Sequence, residues 1–137
     1  MKLTAEHIAQ YHTDGATVVR GAFTPAQMKL LEAGIERNMA EPSALAIVAS
    51  KPEDPGYFIE DFCNWQRIPE FKQFIFDSPA AEIAGQLMGS QEVRLYHDHL
   101  LVKEPKTTAK TPWHQDQPYY NIAVSYTHLT LPTNREV

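Results

Sequence analysis

The chain has 137 residues, of which 43% are hydrophobic and 21% charged, values that are ordinary for one globular domain with its own core. Its formal net charge of −5 argues against a nucleic-acid binder, because such a protein needs a basic face. The single cysteine, Cys63, excludes an intrachain disulfide framework. We expect this thiol to be buried as a small apolar group, in a cytoplasmic protein that has no secretory leader and no membrane span.

The first part of the sequence predicts two helices with a strand between them. Residues 4–12 are predicted to form a short helix that a turn at Gly15 ends. The β-branched residues in 16–20 favour a strand. A second helix is expected to end before Pro42 and to begin with a capping box that has proline at the first helical position. The residues of this box are Thr24, Pro25 and Gln27.

The second part of the sequence predicts two further helices, followed by strands. Residues 58–65 are rich in aromatic side chains and are not assigned. Helices are predicted over 69–76 and, after Ser78-Pro79, over 80–87. Residues 92–103 form the longest strand candidate, and a further strand is expected to begin at Trp113. Helices first and strands later predict an α+β fold in which the N-terminal helices pack on a sheet.

His114 and Asp116 are the most informative pair in the chain. In a strand, residues i and i+2 point to the same face, so both side chains would be able to bind one metal ion. A histidine and a carboxylate make up two thirds of the 2-His-1-carboxylate site that holds non-haem Fe(II). Trp113 and Tyr119 would give the site aromatic walls, and Gln115 would face away from the two ligands.

The predicted strand 92–103 carries a second set of polar side chains. His97 and His99 share one face of this strand, and they are predicted either to be histidines with satisfied hydrogen bonds or to form a metal site with another group. Lys103 lies on the same face. Its ammonium group would suit an anionic carboxylate or phosphate.

Three segments of the sequence together resemble the phytanoyl-CoA dioxygenase family. They are residues 14–23 (DGATVVRGAF), 95–105 (LYHDHLLVKEP) and 111–120 (TPWHQDQPYY). The resemblance implies a double-stranded β-helix, or jelly-roll, preceded by helices. It also implies an Fe(II)- and 2-oxoglutarate-dependent oxygenase, which hydroxylates an unactivated C–H bond of a small organic substrate with O2 and releases succinate and CO2.

The resemblance also assigns roles to residues. It implies that His114 and Asp116 are iron ligands and that His99 and Lys103 approach the 2-oxoglutarate site. No catalytic residue beyond the metal ligands is implied. Three more residues would line the pocket or support the ligands: Trp113, Gln115 and Tyr119.

The chain departs from the family pattern after residue 122. There the family continues with more strands, a distal histidine as third iron ligand and an arginine that pairs with 2-oxoglutarate. His128 and Arg135 follow the first ligands too closely for these roles. We therefore predict an incomplete jelly-roll domain over 1–122 and an unrelated or artefactual tail over 123–137. The chain as it stands is expected to turn over little or no 2-oxoglutarate.

Two alternatives stay open. The first is a non-catalytic jelly-roll module that binds a metal or a small molecule, in which His97, His99, His114 and Asp116 assemble a different, closed site. The second is a structural fragment that binds no ligand. The sequence predicts neither the identity of the substrate nor the oligomeric state.

Overall fold

The computed structural model describes residues 1–121, which divide into two compact units. The first unit contains Met1–Arg20, Ala80–Val93 and the described residues 113–121, and the second contains Gly21–Pro79 and Arg94–Pro112. The elements in chain order are α1 (Ala5–Asp14), α2 (Pro25–Ala40), β1 (Ile47–Val48), β2 (Phe58–Phe62), α3 (Pro69–Asp77), α4 (Ala80–Met88), β3 (His99–Lys103) and a 3-10 turn (Gln117–Tyr119). Helices with a small sheet confirm the α+β class.

All four predicted helices are present, and their ends follow local chemistry. At α2, the Thr24 hydroxyl accepts from the Gln27 N–H at 3.2 Å, and Gln27 Oε1 accepts from the Thr24 N–H at 2.9 Å. This is the predicted capping box. Gly15 ends α1 and Gly89 follows α4, and both have a positive φ that glycine adopts without strain. In the described part of the chain, no helix combines the length and the apolar character that a bilayer crossing requires.

The strand predictions were less successful. Residues 16–20 form no strand, and Val18 is 65% exposed, so the prediction there is wrong. In the segment 92–103 only β3 is a strand, because pairing with β2 begins at His99. The unassigned aromatic segment contains β2, the central strand. A β-branched run favours extended backbone, but a strand also needs a partner that local sequence does not specify.

In the first unit, the start of the chain is bonded to α4. Gln86 makes two of these bonds, because its Oε1 accepts from the Leu3 N–H at 2.8 Å and its Nε2 donates to the Met1 carbonyl at 2.8 Å. The amino terminus pairs with Glu82 at 2.7 Å. The core of this unit is formed by Leu3, Ile83 and Leu87.

In the second unit, three antiparallel strands form a sheet in the order β1-β2-β3. Side chains of a strand alternate between its two faces. Ile59 and Asp61 of β2 are 1% and 0% exposed. The opposite face carries Phe58, Glu60 and Phe62, which pair with Lys103, Leu101 and His99 of β3. These three β3 residues are exposed, so this face is the more open one.

The carboxylate of Asp61 joins β2 to α2 and to the segment that follows it. Asn38 Nδ2 donates to Oδ2 at 2.7 Å, and Ser43 donates through its N–H to Oδ2 at 2.8 Å and through its hydroxyl to Oδ1 at 2.5 Å. Burial of Asp61 opposes its ionisation, but hydrogen bonds from Ser43, Asn64 and Asn38 outweigh that effect. They hold the pKa of Asp61 well below its usual range.

We predict that Asp61→Asn lowers the free energy of unfolding at neutral pH by about 1–3 kcal/mol, because buried donors lose a charged acceptor. The wild-type contribution is present above the ordinary carboxyl pKa of 3.8 and is lost as the pH falls below it, because the folded-state pKa is lowered. Urea unfolding from neutral pH to about pH 3 measures both effects. Asp77→Asn, which changes an exposed carboxylate, is the control, and an unchanged acid dependence in Asp61→Asn would contradict the prediction.

Helices α2 and α3 meet at a glycine. A Cβ added to Gly34 would lie 2.5 Å from the ring of Phe71, which is only 7% exposed. Beside this contact, Arg37 forms a two-pronged ion pair with Glu70, with Nη2 2.6 Å and Nε 3.1 Å from Oε1. The hydrogen bond from Arg37 lowers the pKa of Glu70. The helices therefore approach closely at Gly34 and are tied one turn further on.

We predict that Gly34→Ala destabilises the protein by about 1–3 kcal/mol, because overpacking against Phe71 outweighs the gain of about 0.5–1 kcal/mol that alanine brings to a helix. Thermal or urea unfolding gives the value. In a Phe71→Leu background the same change should cost less, since the ring atoms in conflict are gone. An equal cost in both backgrounds would disprove the proposed contact.

Candidate functional site

His114 and Asp116 lie side by side, although no strand carries them. Residues 111–115 have no regular secondary structure, and the 3-10 turn follows at Gln117, so the predicted strand is not observed. His114 Nε2 is 3.2 Å from Asp116 Oδ1. The Asp116 carbonyl accepts from the Tyr119 N–H at 2.9 Å, and the rings of His114 and Tyr119 meet edge to face with centroids 6.4 Å apart.

The spacing of these two atoms fits a shared metal ion. Neighbouring ligands of an octahedral metal at bonds of about 2.1 Å lie about 3 Å apart. The observed 3.2 Å is close to this value, and both side chains are partly open, at 44% and 38% exposure. Within residues 1–121, no group of three His, Cys, Asp or Glu side chains is arranged to hold a metal ion. The described residues therefore supply a pair of donors.

The three residues predicted to line the pocket lie beside His114. Trp113, Gln115 and Tyr119 border a shallow recess together with Pro118 and His114. Trp113 is fully exposed and Tyr119 is 76% exposed. In the first unit these aromatic side chains form an open rim rather than closed walls.

His99 and Lys103 belong to the second unit, on the open face of its sheet. The His99 ring stacks on Phe62 with centroids 4.1 Å apart and an angle of 23° between the planes. Its Nε2 is 3.4 Å from Glu60 Oε2. Lys103 Nζ lies 4.8 Å above the centre of the Phe58 ring, a cation–π contact that holds the ammonium group at this face.

The histidine that precedes this strand has a different environment. His97 is half-buried, with its ring 5.0 Å from Tyr96 and 6.2 Å from Phe62. Its Nδ1 is 3.1 Å from the Asp98 carbonyl oxygen. Since β3 begins only at His99, the two histidines are not on one strand face as predicted.

Two carboxylates near His99 were missed in the sequence. Glu60 pairs with Leu101 and lies diagonally across from His99 on the same face, which only the strand register reveals. For Asp98 the sequence did contain a signal, because this charged residue lies inside the predicted strand 92–103. Its carboxylate accepts from the N–H groups of Asn64 and Trp65, each at 3.0 Å. The same turn exposes Cys63, whose φ is 59°, so the expectation of a buried thiol is wrong.

The chain was compared with protein families, curated proteins and solved structures. The family model for phytanoyl-CoA dioxygenase (PhyH) matches residues 11–134. No curated protein and no solved structure matches the chain. The matched range contains both pairs of predicted site residues and continues past residue 122. The predicted boundary between the domain and the tail lies outside the residues that the structure describes. Since the match covers most of the 137 residues, the chain belongs to the phytanoyl-CoA dioxygenase family.

Proposed function

We propose that this chain is part of an Fe(II)- and 2-oxoglutarate-dependent oxygenase that hydroxylates a small organic substrate with O2. Membership of the family supports the oxygenase chemistry. The observation that carries the proposal is the 3.2 Å spacing between His114 Nε2 and Asp116 Oδ1. In this proposal the three-stranded sheet is the first part of a jelly-roll.

His114 and Asp116 would hold the iron, as a neutral imidazole and an anionic carboxylate. Iron, when bound, supplies the centre at which 2-oxoglutarate and O2 react. The imidazole must be unprotonated to bind a metal, so acid competes with the metal for His114. The aromatic rim of Trp113 and Tyr119 would offer apolar surface to the substrate beside the metal.

His99 and Lys103 would bind the co-substrate, which carries two carboxylates. The ammonium group of Lys103 acts as a point charge for such an anion. Its contact with the buried ring of Phe58 limits the conformations it can adopt. The stack on Phe62 likewise limits the orientations that the His99 ring can adopt.

We predict that the chain binds Co(II), used as a spectroscopic substitute for Fe(II), and that His114→Ala and Asp116→Ala each weaken binding by about tenfold or more. Titration followed by the visible absorption of Co(II) measures the affinity. His12→Ala is the matched control, because it removes an exposed imidazole from α1 and should leave the affinity unchanged.

This titration also separates the proposal from its alternative. Unchanged affinity in both His114→Ala and Asp116→Ala would refute the metal assignment. Strong dependence on His97 instead would favour the non-catalytic module with a different closed site.

We predict that Lys103→Ala weakens binding of 2-oxoglutarate by roughly fivefold, the effect of about 1 kcal/mol expected for an exposed charge pair. Isothermal titration in the presence of Co(II) gives the dissociation constant. Lys110→Ala, which removes a lysine from the 105–112 loop, is the control. Added salt should weaken wild-type binding more than Lys103→Ala binding, and equal salt dependence would contradict the charge role of Lys103.

A further inference from the structure

Asp98 makes three hydrogen bonds to the turn that follows β2. Its Oδ2 accepts from the Asn64 N–H and its Oδ1 from the Trp65 N–H, each at 3.0 Å. Its own carbonyl accepts from the Cys63 N–H, also at 3.0 Å. One residue therefore satisfies three consecutive backbone donors, and two of these bonds have the added strength of an ionised acceptor.

The turn held in this way has an uncommon backbone. Cys63 has a φ of 59°, in the left-handed region that residues other than glycine seldom adopt. Such a conformation persists where its surroundings enforce it. Asn64, which is 1% exposed, adds a second tie, since its Oδ1 accepts from Arg67 Nη2 at 2.8 Å.

The bonded turn lies directly beside the stack of His99 on Phe62. Phe62 is the last paired residue of β2 and directly precedes the turn, and His99 is the first paired residue of β3 and directly follows Asp98. Fixing Asp98 against the turn therefore fixes the backbone on both sides of the stack. The ring plane of His99, and the approach of its Nε2 to Glu60 at 3.4 Å, depend on that backbone.

We propose that Asp98 is a positioning residue for His99, which holds the imidazole in place for the co-substrate without touching the co-substrate itself. This proposal rests on the proposed role of His99. Asp98 also stabilises the fold locally. The two effects differ in what they change: a purely structural role lowers stability, whereas a positioning role changes the environment of one imidazole in molecules that remain folded.

The first test is NMR of the His99 ring protons, which the stacked Phe62 ring shifts upfield. We expect Asp98→Ala to move these resonances towards those of an unstacked histidine. Asp98→Asn should move them less, because its amide oxygen still accepts one backbone N–H. Asp54→Ala is the matched control, since Asp54 also accepts from a backbone N–H, that of Lys51 at 3.0 Å, in a different loop. Unchanged His99 resonances in folded Asp98→Ala would overturn the proposal.

The second test is isothermal titration with 2-oxoglutarate and, separately, with Co(II). Asp98→Ala should lose as much 2-oxoglutarate affinity as His99→Ala does, and the double variant should be no weaker than either single variant. Co(II) affinity should be retained. Additive losses, or equal losses of both ligands, would overturn positioning of His99.

The proposal can still be tested if Asp98→Ala fails to fold or if the wild-type chain binds no 2-oxoglutarate. If Asp98→Ala does not fold, Asp98→Asn decides through the same resonances and titrations. If the wild-type chain binds no 2-oxoglutarate, the proposed co-substrate role of His99 fails. The NMR comparison then still decides whether Asp98 sets the ring, because that measurement needs neither ligand nor metal.

Discussion

The buried carboxylate of Asp61 is the constraint on which the second unit depends. An ionised group away from water must be surrounded by donors, and here Asn38 and Ser43 provide them from α2 and the segment after it. This requirement fixes which face of β2 meets the helices. A slip of one residue would place Asp61 on the open face and Glu60 on the buried one.

The position of His99 and Lys103, the proposed co-substrate residues, follows from this choice of face. With Asp61 inward, Glu60 and Phe62 must point to the other side of the sheet, because side chains alternate. The register then places His99 opposite Phe62 on that side. Phe58 is 2% exposed on the same face, and Lys103 covers it through its ammonium group. Burial on one face of β2 thus determines which polar groups the other face presents.

The features that were correctly predicted from the sequence depend on interactions between residues only a few positions apart. The helix start at Thr24 depends on bonds that span three positions, so the pattern predicts it without the fold. The pairing of β2 with β3 joins residues about forty positions apart, so the local sequence did not reveal β2. Residues 16–20 were wrongly assigned because β-branched side chains favour extended backbone without specifying a partner strand. The site divides in the same way. The pair of His114 and Asp116 is local in sequence, whereas the approach of Glu60 to His99 depends on register.

The His114–Asp116 pair shows that a short motif can predict which side chains lie together even when its predicted backbone is wrong. The expected pleat is missing, yet the two side chains meet at 3.2 Å beside a 3-10 turn that bonds to the Asp116 carbonyl. An exposed pair of this kind contributes only about 0–1 kcal/mol to stability, so stability alone gives little reason for the arrangement. A cation shared by both side chains would gain far more from the same spacing, since it draws on both donors at once. The 3.2 Å between the donor atoms therefore fits both a hydrogen-bonded ion pair and two ligands of one metal ion.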